Sequence, residues 1–140
     1  MILPVSAIFI ASYALLIVAL AINVSRLRVK KRVSLGDGVS QSVGDSAGGP
    51  GDYELSRARR AHANAVENAV IMMPLALVYE LIGGNALTLM ILCGAFFVCR
   101  VVHASGLLHK ATTIRRRVGA MASYLIEIAL AVLVLVKTLL

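Results

Sequence analysis

Four polar residues, Arg57, Arg60, Asn64 and Glu67, recur at i, i+3, i+7 and i+10. At 100° per residue they fall at about 0°, 300°, 340° and 280°, one arc of roughly 80° on a helix. Arg59 and His62 fall on the far side. The spacing is that of a buried helical seam, yet its occupants are charged or amide side chains. Two readings stand for such a stripe. Arg60 or Asn64 pairs with Glu67 and satisfies it locally, or the stripe lines a pocket for a polar, anionic ligand. In the second case the guanidiniums fork onto carboxylates, Glu67 receives an ammonium and Asn64 bonds an amide.

A second partial stripe, Arg100 and His103 with Leu107, follows 40 residues later. Arg100 lies within an apolar run, where a guanidinium requires an anion or a hydrated cavity. A lone His103 is by itself an ordinary structural residue. Arg115, Arg116 and Arg117 form a basic run whose usual meaning is contact with anionic headgroups. Glu80 reads as solvated near a surface, and Glu127 as a deeper acid that is protonated or bonded to another helix. Cys93 and Cys99 fit no zinc or redox spacing and read as small core residues, and no metal site is expected.

These residues sit in a chain that is 59% hydrophobic and 15% charged over 140 residues, with a mean hydropathy of +0.87. A soluble globule of this size has too little interior for that much apolar surface. A bilayer core of about 30 Å needs roughly 20 apolar residues per helix, and four stretches qualify. The expected architecture is all-α: an integral membrane four-helix bundle forming one domain over 1–140. Its helices are expected at about 2–25, 53–82, 86–108 and 116–138, with a loop at about 33–52 rich in Gly, Ser and Asp. The first stretch has no basic leading region, and its charges follow the apolar run, so it reads as a retained helix and not a signal peptide. The uncharged Gly83-Gly84-Asn85 is a tight turn.

The formal net charge of +7 does not indicate nucleic acid, because no aromatic or groove-reading element accompanies it. All the Lys and Arg residues except Lys137 lie between the first two helices, at the start of the second, or around Arg100 to Arg117. By the positive-inside rule both basic connections, and with them the polar stripe, face the cytoplasm, and both termini face the opposite side.

Arg57-x-x-Arg60-Ala61-His62-x-Asn64-x-x-Glu67, opening the second of four short helices, resembles the signature of the membrane-associated proteins in eicosanoid and glutathione metabolism, the MAPEG family. The likeness extends over nearly the whole chain, through Arg100-Val101-Val102-His103 and an arginine opening helix four. It implies a homotrimer that binds glutathione between subunits near the cytoplasmic side. Arg60, Asn64 and Glu67 would hold the tripeptide, with Arg26, Arg100 and His103 contributing. Arg116, with Arg115 and Arg117 as alternatives, would stabilise the glutathione thiolate. The implied activity is a glutathione-dependent transferase or peroxidase acting on an apolar small molecule or lipid hydroperoxide. A non-catalytic lipid-binding or scaffold role is the alternative. The sequence departs from the pattern at Leu107, where several members carry a tyrosine, at Ala63, where prostaglandin E synthase has a further arginine, and at Arg117, where that enzyme has serine.

Overall fold

The computed structural model describes residues 4–31, 50–109 and 114–140. It contains four helices: α1 (Pro4–Lys31), α2 (Pro50–Leu81), α3 (Ala86–His109) and α4 (Ile114–Leu139). Each is long and apolar enough to cross a membrane. Most of the Gly-rich segment expected at about 33–52 lies outside the described residues, but α2 already begins at Pro50. Proline at a helix start is favourable, because its missing N–H would be unsatisfied there anyway.

The first helix runs further than its apolar stretch. It continues through Arg26, Arg28 and Lys30 to Lys31, because nothing between Val24 and Lys31 breaks a helix and cations in a last turn favour the macrodipole. Lys31 then meets Glu54 of α2 at 3.6 Å. The α2–α3 turn is the expected one: Gly83 adopts φ 77°, a conformation that glycine takes without steric cost. Asn85 caps α3 by accepting from the Thr88 N–H at 2.9 Å.

The helices pack in sequence order, α1 on α2, α2 on α3 and α3 on α4, while α1 and α4 do not touch among the described residues. α2 presents a small-residue face, burying Ala58, Ala61, Ala65, Ala69 and Ala76. In lipid the hydrophobic effect does not drive helices together, so close approach over small residues is what gains packing energy. Phe9, Tyr13, Phe96, Met72, Leu89 and Leu130 fill the layer around this face, with Phe9 edge-on to Phe96 at 6.0 Å. Outside, Ile8, Leu15, Val70, Val98 and Leu125 are each more than half exposed, as a lipid-facing surface requires.

Length sets the depth of the polar residues. The 32 residues of α2 span about 48 Å at roughly 1.5 Å each, about 18 Å more than a hydrocarbon core of ~30 Å. If Leu81 marks one edge of that core, Arg57 and Arg60 stand at or beyond the opposite edge. Glu67 lies about 9 Å inside that edge. Counted from Ala86, Arg100 falls at the same depth as Glu67.

Candidate functional site

At this depth all four helices contribute to one buried polar cluster. Arg100 of α3 is 1% exposed. Its guanidinium donates to the Asn64 side-chain oxygen, to the Asn64 carbonyl at 3.3 Å and to Asn68 Oδ1 at 3.4 Å. Asn68 Nδ2 in turn donates to the Asn64 carbonyl at 2.9 Å. The Tyr13 hydroxyl of α1 donates to the Ala65 carbonyl at 3.1 Å and lies beside the Arg100 guanidinium. Glu127 of α4 is 6% exposed, and its carboxylate is close enough to Arg100 for their charges to interact. Burying a guanidinium is costly unless its donors are answered. Here the two terminal nitrogens of Arg100 are bonded to α2, while its Nε has no hydrogen-bond partner among the described residues.

A second contact joins α3 to the start of α4. His103 is buried, and its Nδ1 lies 2.8 Å from the Arg116 carbonyl. Because a carbonyl can only accept, this nitrogen carries the proton and donates. Gly119 makes the approach possible: a Cβ there would stand 2.7 Å from the Cys99 carbonyl and 2.9 Å from His103 Cβ. The pair fixes where α4 begins. Arg115, Arg116 and Arg117 therefore occupy its first turn, which contains no acid. Helix dipole and guanidiniums together make that end strongly electropositive.

The sequence-predicted residues thus divide. The structure brings Asn64 together with Arg100, and His103 together with Arg116. Arg60, Glu67 and Arg26 are exposed. The stripe is consequently not the seam of the bundle. The alanine face holds that position, and Arg60 and Glu67 point away from it, with half-buried Asn64 at the border. Among the described residues no ion pair joins Arg60 to Glu67 and no hydrogen bond joins Asn64 to it, so the local-pairing reading of the stripe does not hold within the subunit. Arg57 is tied in the subunit, donating to the His109 carbonyl at 3.1 Å. Glu80, expected to be solvated, instead accepts from the backbone N–H groups of Val5 at 3.1 Å and Ser6 at 2.8 Å. It caps the first turn of α1, whose donors have no partner within their own helix.

Among the clefts that the described residues form on the outer surface, two stand out. One, of about 780 Å³, runs along α1 past Val18 and Ile22 to Arg26 and Lys30, with Glu54 at its rim. The other, about 350 Å³ and almost wholly apolar, lies between α1 and α3 among Ile8, Phe9, Met90, Cys93 and Phe97.

Tyr13, Asn68 and Glu127 were not singled out as site residues by sequence. For Asn68 a signal existed, since an amide three residues after Ala65 and seven after Ala61 falls beside the alanine face of α2. For Tyr13 and Glu127 only the fold brings them to Arg100.

Comparison with known proteins agrees with this architecture. The model of the MAPEG family matches residues 6–136. The inner membrane protein YecN of Escherichia coli K12 is 35% identical over 113 residues, covering 80% of this chain and 76% of that protein. YecN of the O6:H1 strain CFT073 matches to the same extent.

Proposed function

Because this chain belongs to the MAPEG family of integral membrane proteins, we propose that it is a glutathione-dependent transferase or peroxidase acting on apolar electrophiles or lipid hydroperoxides. The observation that carries this reading is the exposed Arg60–Glu67 edge of α2, which has no ion-pair partner among the described residues and is continuous with Asn64. Glu67 lies within hydrocarbon depth, and a carboxylate facing lipid there is expensive. A neighbouring copy covering that edge removes the cost and encloses a polar cavity, which is the homotrimer that the family resemblance implies.

The residues fit the tripeptide group by group. Arg60 answers a carboxylate with a forked guanidinium, and Arg26, exposed at the end of α1, supports a second one. Glu67 accepts from the ammonium, and Asn64 donates to a carbonyl. Glutathione would supply the nucleophilic sulfur, which bonds to an electrophilic carbon as the leaving group departs with its electron pair. An ordinary thiol with a pKa near 8.5 is mostly protonated at neutral pH. Arg116, at the electropositive start of α4, favours the thiolate. His103 acts one step back, by holding the backbone of Arg116.

The rival role, a non-catalytic lipid-binding or scaffold protein, draws support from Leu107. It is buried with Leu20, Ala61 and Ala65, where a tyrosine would offer a hydrogen bond to the ligand. Calorimetry with glutathione on the detergent-solubilised protein separates the two. Binding that Arg60→Ala and Glu67→Ala each abolish is expected. No binding, or binding indifferent to both changes, would sink the glutathione reading, and monomers by native mass spectrometry would undo the shared site.

A further inference from the structure

The apolar cleft between α1 and α3 has no part in the proposed chemistry, and it stays open where packing would allow it to be closed. At Gly84 and Gly119 an added Cβ would run into the Tyr79 ring and the Cys99 backbone; at Gly94 it would meet nothing within 4 Å. Close helix contact therefore does not require glycine at 94, and glycine inside a helix is less favourable than alanine. What the missing side chain leaves is the space of the cleft, which Gly94 lines together with Ser12 and Cys93.

The walls are held apart by the core. Phe9 packs on Tyr13 at 5.7 Å and on Phe96 at 6.0 Å, and Phe97 stands edge-on to Tyr13 at 6.4 Å. Phe9 and Cys93 are buried, whereas Ile8 and Met90, 68% and 56% exposed, form the open rims. The start of α1 is tied to Glu80 at the end of α2, and α3 starts just past the following turn, so α1 and α3 run parallel from the same side of the membrane. Met90 stands about 6 Å and Phe97 about 16 Å below Ala86, and Val5 to Ser12 covers a matching length of about 10 Å on α1. The cleft, of about 350 Å³, thus reaches from near one edge of a ~30 Å hydrocarbon core to its middle.

Depth and chemistry select what fills it. None of its lining side chains is charged, and only the Ser12 hydroxyl and the Cys93 thiol are polar, too few partners for the roughly two to four hydrogen bonds that an enclosed water needs. Its inner end, Phe97, lies six residues before His103, about 9 Å short of the level at which His103 holds Arg116. A molecule in the cleft therefore does not meet a thiol held there. We propose that the cleft seats one acyl chain of a phospholipid from the leaflet on the side of the α2–α3 turn. The chain enters laterally between Ile8 and Met90, lies against Phe9, Cys93 and Phe97, and fills the place of the absent side chain at Gly94. In lipid such close packing, and not the hydrophobic effect, is what holds one surface to another. The occupant is a resident lipid and not the electrophile of the proposed reaction.

The test uses the full chain in detergent micelles, titrated with a phosphatidylcholine that carries a diazirine midway along one chain, then irradiated, digested and mapped by mass spectrometry. Labelling of Met90, Cys93 and Phe97 is expected to saturate with added lipid, while labelling of Leu125 and Ile128, exposed on α4, rises in proportion to it. Gly94→Leu, which puts a branched side chain into the open space, is expected to lose the saturable labelling and leave that of α4 unchanged. Val98→Leu, one turn further on and also exposed, should keep both. Labelling that rises in proportion at both places, or that saturates equally in Gly94→Leu, would overturn the proposal and leave the cleft as ordinary lipid-facing surface. Absence of labelling in the cleft also overturns it, and if Gly94→Leu then dissociates an oligomer by native mass spectrometry, the occupant is a second copy of the chain. Should Gly94→Leu not fold, the wild-type titration still decides, and Gly94→Ala is expected to weaken the saturable labelling. Glutathione enters no arm of the test, so the proposal stands or falls apart from that reading.

Discussion

Replacing Arg100 by methionine distinguishes two accounts of the buried cluster. The guanidinium makes three hydrogen bonds to α2. Side-chain hydrogen bonds between membrane helices average about 0.6 kcal/mol, so their loss alone costs about 2 kcal/mol. On the account in which Glu127, 6% exposed, is the counter-charge of Arg100, the change also strands that acid, and removing one partner of a buried pair costs about 3–5 kcal/mol. Arg100→Met is therefore expected to destabilise by the larger figure. Adding Glu127→Gln removes the stranded charge, so the double variant should be more stable than Arg100→Met, with a coupling of about 0.5–3 kcal/mol. The assay is reversible unfolding in mixed micelles with rising dodecyl sulfate, followed by far-ultraviolet circular dichroism at one protein concentration. A cost of 2 kcal/mol or less for Arg100→Met, with no recovery in the double variant, refutes charge compensation and leaves a hydrogen-bonded cluster only.

Three further outcomes are expected. Gly119→Ala should destabilise by about 1–3 kcal/mol in the same assay, because its Cβ meets backbone at Cys99 and His103 and overpacking of that size is costly; wild-type stability would show that α3 and α4 can part freely. Arg116→Ala should bind glutathione but lose the ultraviolet thiolate band, and loss in Arg115→Ala or Arg117→Ala instead would move the activating role to that residue. In intact cells expressing cysteine-free protein, a membrane-impermeant maleimide should label Lys137→Cys and spare Arg115→Cys until lysis; the reverse pattern inverts the topology.

The sequence made the four helices legible because apolar length is a one-dimensional property. It also placed Arg100 and His103 within α3. What it could not rank was which face of α2 turns inward. The polar stripe and the alanine stripe have the same helical period, and periodicity says that a face exists without saying what it meets. In water an apolar face would decide the matter. In lipid the deciding quantity is side-chain size, and Ala58, Ala61, Ala65 and Ala69 were the available sign. Glu80 and Glu127 resisted for another reason. Each is a single acid on an apolar helix, and its partner is more than 25 residues away in sequence: the start of α1 for Glu80, and Arg100 for Glu127. No local pattern encodes such a pair.

Depth connects the two faces of α2. Arg60, at the hydrocarbon edge, can meet a water-soluble anion without desolvating it fully, whereas Glu67, about 10 Å further along the helix, lies where apolar compounds concentrate. A ligand held along both residues has one end in water and the other at hydrocarbon depth, which is the position required of a polar thiol that must react with a membrane-dissolved electrophile. Asn64 stands between them, and it alone also belongs to the buried cluster. Its oxygen accepts from Arg100, so a movement of Arg100 would reach a ligand held along this edge through the Asn64 side chain. Substitution of Asn64 should therefore impair both stability and binding, whereas Arg60→Ala and Glu67→Ala should impair binding alone.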